Sequence, residues 1–252
     1  MSVAIITGAS SGLGVCYVDA VTKIYPEIEE IWLIARREDR MREIAAAYPN
    51  KKFVIYPMDM ADMENYRGLA AALEEHKPDV QLLINDAGIS GGEYFESMPL
   101  ERILQIIELN CKGAVAVTKT VLPYIRNGGN VIEVSSTSAF VPQTGLIIYC
   151  ASKSFVSAFS LGLHQELQNS GRNINVCAVC PGSMPTEMNP DAGKKGTATG
   201  LLPVIRTEDA AMRSLRAAKN GRRVYTTGWF YKGYRVLAKV VPHSLIAKFN
   251  GI

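Results

Sequence analysis

A chain of 252 residues, 48% hydrophobic and 20% charged, has the length and balance of one α/β domain with a sizeable buried core. It has no run of eighteen apolar residues, and its start, MSVAIITGAS, has no basic segment and too short an apolar run for a secretory signal. Neither a transmembrane helix nor export is therefore expected, and the expected compartment is the cytoplasm. The net charge of +3 hides an asymmetry: residues 210–252 carry nine Lys or Arg and no acid, a patch too confined for a surface that tracks nucleic acid.

The five cysteines (Cys16, Cys111, Cys150, Cys177, Cys180) are odd in number and scattered through apolar segments, without the spacing of a disulfide framework. Cys177 and Cys180 form a CxxC, but INVCAVC reads as a buried strand, where positions three apart point to opposite faces, so no metal is expected.

In chain order, the first apolar run, VAIIT, leads through TGASSGLG (residues 7–14) into a helix expected from about Gly12. Glycines there let the backbone approach a ligand, and the helix start offers free N–H groups and a favourable dipole to a pyrophosphate. Further short β-like runs follow: EIWLIA, KFVIYP, VQLLIN, NVIEVSS, INVCAVC and one near RRVYTT. Between them, helices are expected at 37–48, 62–76, 99–127, 149–169 and 207–219. This alternation implies a Rossmann-like, doubly wound parallel sheet of about seven strands with helices on both faces, in a single domain. Two stretches interrupt it. Residues 183–206, rich in Gly and Pro, are expected to form a loop or lid over a substrate, and residues 228–252 form a basic, aromatic extension.

YCASK places Tyr149 and Lys153 four residues apart, on one face of a helix, thirteen residues beyond Ser136. With the glycine spacing TGxxxGxG, this makes the chain resemble the short-chain dehydrogenase/reductase family. The resemblance runs through Gly8, Gly12 and Gly14, Asp59, NDAG (residues 85–88), Asn110, Ser136, Tyr149 with Lys153, and PGSMPT (residues 181–186). NDAG departs from the commoner NNAG by Asp86.

The resemblance implies an oxidoreductase using a nicotinamide cofactor. Tyr149 would be its acid/base. A free phenol titrates at about 10, and the Lys153 ammonium beside it would favour phenolate. Lys153 would also bond the nicotinamide ribose, Ser136 the substrate oxygen, and Asn110 a water that relays protons to solvent. Ser135 and Ser138 are rivals for the serine; the family spacing selects Ser136. In the cofactor set, Gly8, Ser10, Ser11, Gly12 and Leu13 would cradle phosphate. Asp59 and Met60 would hold the adenine end, and Asn85, Ala87 and Gly88 would line the ribose side. Pro181, Gly182 and Met184 belong to the same set, with Thr186 at the nicotinamide or diphosphate. Arg36 and Arg37 end the second strand, where an NAD-selecting fold commonly has an acid. A guanidinium suits a 2′-phosphate, so NADP(H) is the expected cofactor. A hydrolase is disfavoured, since there is no G-x-S-x-G and only His76, His164 and His243 offer imidazole.

FVPQTGLII, GISGGEYF, Met184, Met188, Leu201 and Leu202 read as an apolar pocket. The expected substrate is a ketone or secondary alcohol on a steroid, bile acid, lipid-derived or aromatic skeleton, the chemistry of carbonyl reductases and hydroxysteroid dehydrogenases. A homodimer or homotetramer is implied, with helices 99–127 and 149–169 as the contact surface. In the tail, Leu237, Val240 and Val241 stand at helical spacing, and Leu245, Ile246 and Phe249 follow a break at Pro242. This favours a helix packed on the domain or at a subunit interface, ahead of a peripheral contact with an anionic membrane or an anionic substrate. The alternative to an enzyme is an NADP(H)-binding regulatory or interaction protein on the same fold.

Overall fold

The computed structural model describes residues 1–194 and 202–247. Seven strands, β1 (Ser2–Thr7), β2 (Glu30–Ala35), β3 (Lys52–Pro57), β4 (Asp79–Asn85), β5 (Ile125–Val134), β6 (Asn175–Cys180) and β7 (Val224–Thr226), pair in parallel in the order β3-β2-β1-β4-β5-β6-β7. Strands covered on both faces need apolar residues at every position, which is why β2 and most of β1, β4 and β6 are continuous buried runs.

Successive side chains alternate between two core layers. Ile6, Leu33, Leu82, Ile132 and Val179 face α1 (Gly12–Ile24) and α7 (Thr207–Lys219). Ile5, Trp32, Leu83 and Val131 face the other side, packed with Leu69 and Leu73 of α3 (Glu64–His76), Val117 of α5 (Ala114–Val121) and Leu167 of α6 (Ile147–Asn169). Two shorter helices, α2 (Glu38–Ala46) and α4 (Leu100–Ile107), complete the set before the tail, which adds α8 (Trp229–Val240) and α9 (His243–Ile246). No helix among the described residues is long and apolar enough to cross a membrane. The chain winds outward from β1 in one direction and from β4 in the other. Their carboxyl ends therefore bound the crevice in which such sheets bind ligands.

Two expectations differ from the structure. The single helix over 99–127 is instead α4, a π-helical turn (Glu108–Gly113), α5 and a 3₁₀ turn (Leu122–Tyr124), with β5 starting at Ile125. Pro123 has no N–H to continue α5. The wide π turn carries Asn110 inward, where its side chain finds buried partners. The tail does form a helix, but of α8 only Tyr231 and Ala238 are buried. Leu237 and Val240 are exposed on this chain, which departs from packing on the domain and leaves the subunit-interface expectation standing, and Val241 is half-buried just past the helix. Phe249 and Leu201 lie outside the described residues, as do Lys195 to Gly200 of the expected lid.

The turn between β1 and α1 is so tight that a Cβ on Gly14 would lie 2.3 Å from the Gly8 carbonyl oxygen, a backbone atom that cannot swing aside. Gly14→Ala is expected to destabilise the fold by about 1–3 kcal/mol, as overpacking does, read as a lower urea midpoint. An unchanged midpoint would contradict this close approach.

Candidate active site

One continuous cleft crosses the carboxyl ends of β1, β2, β4, β5 and β6. Its nearer half is lined by Gly8, Ser11, Gly12, Leu13, Ala87, Gly88, Ser136, Tyr149, Lys153, Pro181, Gly182, Met184 and Thr186. The far half is lined by Ser10, Arg36, Arg37, Asp59 and Met60, with Gly8, Ser11, Ala87 and Gly88 shared between the two.

The floor of the cleft is backbone. Gly8 has φ +68°, and a Cβ there would lie 2.8 Å from Ala87 N; Gly12 also has positive φ, at +52°. Ser11, the N-cap of α1, makes no side-chain cap, which leaves Gly12 and Leu13 N–H for an anion, while the Gly14 backbone is bonded to the Asp86 carboxyl. At the far end, Arg37 donates to Ser10 Oγ and Ser10 O, both at 3.2 Å, and pairs with Glu187 Oε2 at 3.0 Å. The guanidinium is thus aimed across the cleft before any ligand arrives. Asp59 Oδ1 accepts from Ala61 N–H at 3.0 Å, and Met60 O accepts from the Tyr66 hydroxyl at 2.7 Å, which fixes that wall. This combination of a glycine floor, open helix N–H groups and two guanidiniums fits a phosphorylated dinucleotide.

At the other end stand the groups on β5 and α6. Lys153, 4% exposed, donates from Nζ to Val134 O at 2.8 Å, and Nζ lies 5.8 Å from the centre of the Tyr149 ring. The structure separates the three serines. Ser135 also borders the cleft, but its Oγ donates to Lys153 O at 2.7 Å and lies 2.8 Å from Ser157 Oγ, so it is spent on structure, and Ser138 does not line the cleft. Ser136 lines it, accepts from Ser138 N–H at 3.1 Å, and its side chain acts on the Tyr149 phenol in the direction that favours phenolate. Burial outweighs that bond and pushes the Tyr149 phenol up to about 12. In this state the tyrosine is a proton donor across the ordinary pH range.

Two expected residues stand behind the cleft rather than on its lining. Asn110 Oδ1 accepts from Ile89 N–H at 2.9 Å, while its Nδ2 donates to Ile89 O at 2.9 Å and to Ser152 Oγ at 3.0 Å, joining the π turn to the loop after β4 and to α6. A Cβ on Gly88 would lie 3.0 Å from Asn110 Oδ1 and 3.3 Å from Lys153 Nζ, so the two side chains meet at that glycine. Asn85, expected to line the ribose side, turns into the core. Its Nδ2 donates to Thr118 Oγ1 and Glu133 Oε1, both at 2.8 Å, which leaves that wall to Ala87 and Gly88.

Sequence reasoning missed three acids. Glu187 holds Arg37, a pairing across 150 residues that no local pattern announces. Asp86 lines the cleft, and burial pushes its carboxyl up to about 7 against the opposing pull of the Lys153 ammonium. Glu133 is wholly buried and also pushed up to about 7 by burial, and its Oε2 has no partner. Lys153 is lowered by burial, with Asp86, the Cys111 thiol and Glu133 opposing. Asp86 stands out in the sequence as the departure within NDAG, but that signal alone assigns it no role; the acid in VIEVSS gives a weaker one.

The family profile of the short chain dehydrogenases matches residues 2–196. The chain belongs to the short-chain dehydrogenase family. Members of this family are oxidoreductases that bind a nicotinamide cofactor, act on small substrates and are generally oligomeric. The chain is 34% identical over 194 residues to an uncharacterized oxidoreductase of Bacillus subtilis, YusZ, covering 74% of this chain and 66% of that one. Over 191 residues it is 30% identical to an NADP-dependent 3-hydroxy acid dehydrogenase of Schizosaccharomyces pombe, with 73% and 72% covered. It superimposes with a TM-score of 0.78 on a short-chain dehydrogenase from Sphingobium yanoikuyae in complex with NADPH, at 25% identity, covering 96% of this chain and 97% of that one.

Glu133 gives a signed pH test. Its folded value is raised above the unfolded value of about 4.3, so between that value and about 7 the folded protein holds a proton that the unfolded chain has released. Stability therefore falls as pH rises through this window. In Glu133→Gln, which keeps an acceptor for Asn85 and Thr118, the loss of Tm from pH 5 to pH 8 is expected to be smaller than in wild type. Equal slopes would contradict the raised carboxyl.

Proposed function

We propose that the protein is an NADP(H)-dependent oxidoreductase that interconverts a ketone and a secondary alcohol on a hydrophobic small molecule. The observation that carries this reading is the convergence of Tyr149, Ser136 and Lys153 at one end of a cleft whose other end holds Arg36 and Arg37. The bound nicotinamide supplies or accepts the hydride.

In reduction, Tyr149 gives its phenolic proton to the carbonyl oxygen, and Ser136 Oγ donates a hydrogen bond to the same oxygen as charge develops there. The protonated phenol described above is the form that reduction requires. In oxidation the phenolate is required, and the charge on Lys153 then offsets the burial that opposes it. Lys153 also bonds the nicotinamide ribose in this reading, and Asn110, which meets Lys153 at Gly88, holds a water that returns the proton from solvent. The phosphate groups rest on the backbone of Gly8 to Leu13, with Thr186 and the Pro181–Gly182–Met184 segment closing over them. Asp59 and Met60 contact the adenine.

Arg36 and Arg37 select the 2′-phosphate, which competes with Glu187 for Arg37. The NADP dependence of the fission-yeast relative and the NADPH held by the Sphingobium structure agree with this choice. Met184 and Met188 give the cleft adaptable apolar walls, in keeping with a steroid, bile acid, lipid-derived or aromatic carbonyl. The exposed Leu104 and Ile107 of α4, with Ile147 and Phe155 of α6, fit the contact of a homodimer or homotetramer. Five free cysteines agree with the cytoplasm.

The test is NADPH oxidation against a panel of hydrophobic ketones, with NADH as the cofactor control. Wild type is expected to turn over at least one ketone and to prefer NADPH. Tyr149→Phe should lose about 10²–10⁴-fold in rate and still bind NADPH. Wild-type turnover by that variant, or equal use of NADH, would refute the proposal. Tight NADPH binding without turnover would favour a cofactor-sensing protein.

A further inference from the structure

The α8 helix turns its apolar residues outward. Its buried side chains, Tyr231 and Ala238, fall on one stripe facing the domain. At about 100° per residue, Trp229, Val236 and Val240 fall in one narrow sector on the opposite side, and they are 85%, 63% and 77% exposed. Lys232 and Lys239, both exposed, and half-buried Arg235 line one flank of this ridge. Outer helices of soluble proteins normally show water a polar face. An outward apolar ridge with a tryptophan and a cationic flank is the pattern of a helix lying in a membrane interface.

Charge decides between the occupants of this ridge. A two-fold contact with a second copy sets the patch against itself, bringing Lys232, Arg235 and Lys239 towards their own counterparts, and residues 210–252 hold no acid to neutralise them. Anionic lipid headgroups neutralise all three.

The same helix is fastened to the cleft. The Tyr231 ring lies so close under Gly182 that a Cβ there would come within 2.1 Å of it. The Tyr231 hydroxyl accepts from Ser183 N–H at 3.0 Å and donates to Pro203 O at 2.8 Å. One side chain thus holds both described ends of the segment between β6 and α7, and Gly182 and Met184 of that segment line the cleft.

We propose that α8 docks the protein on an anionic membrane surface, with Trp229, Val236 and Val240 in the headgroup region and Lys232, Arg235 and Lys239 on lipid phosphates. Through Tyr231 this sets the cleft beside the bilayer. Resting on the function proposed above, it narrows the substrate class to carbonyls or alcohols that partition into lipid.

The test is flotation of the full-length protein with vesicles of phosphatidylcholine alone and of phosphatidylcholine with one quarter phosphatidylglycerol. The result needs no activity, so it stands or falls apart from the enzymatic reading. Flotation is expected only with phosphatidylglycerol and should be released by salt at about 0.5 M, where screening is short-ranged. Lys239→Gln and Lys232→Gln should each weaken vesicle affinity about fivefold, and Val240→Ser should weaken it with the charges intact. Lys239→Gln should leave the reduction of a water-soluble ketone unchanged. Absent flotation, or flotation indifferent to phosphatidylglycerol and to the lysines, overturns the proposal. So does a Val240→Asp variant that halves the particle mass while wild type fails to float, which would give the ridge to a second copy.

Discussion

A buried ammonium organises the site. Lys153 has almost no contact with water, and a buried cation persists only with partners. It donates to Val134 O at 2.8 Å, and its own carbonyl accepts from Ser135 Oγ at 2.7 Å. These two bonds run in opposite directions between α6 and the end of β5, fixing both the spacing and the rotation of the helix. Tyr149, one turn earlier on α6, and Ser136, the next residue after Ser135, inherit their positions from that clamp. Replacing either serine therefore means different things: Ser135 holds the helix, while Ser136 faces the cleft.

The same ammonium gathers the acids around it. Asp86 and Glu133 are both pushed up to about 7 by burial, both interact with Lys153, and Asp86 also raises the phenol. The electrostatic setting of Tyr149 thus includes a carboxyl, Asp86, that burial has raised towards neutrality, with Glu133 acting on Lys153 behind it. Asn85 and Thr118 steady Glu133 from the far side, which ties this chemistry to the packing of β4, β5 and α5.

Much of this was legible in the sequence because it is local. Continuous apolar runs gave the strands, since each is buried on both faces. The glycine spacing marked the β1 turn because only a missing Cβ allows Gly8 against Ala87 and Gly14 against Gly8. Tyr149 and Lys153 are one helical turn apart. What escaped was non-local. The π turn at Asn110 is set by partners on Ile89 and Ser152 rather than by propensity, and the Arg37–Glu187 pair joins the end of β2 to the loop after β6. The tail's spacing announced a helix. It could not announce which face would be left outside, because Tyr231 and not the aliphatic stripe found the pocket, under Gly182.

In the proposed reading, one cleft holds NADPH with its 2′-phosphate at Arg36 and Arg37 and its nicotinamide at Tyr149. A crystal structure of the protein with NADPH tests this most directly. The expected result has Arg37 released from Glu187 and bonded to the 2′-phosphate, with Lys153 on the nicotinamide ribose. A cofactor bound with its 2′-phosphate in solvent and the Arg37–Glu187 pair intact, or with the nicotinamide out of reach of Tyr149, would contradict the account.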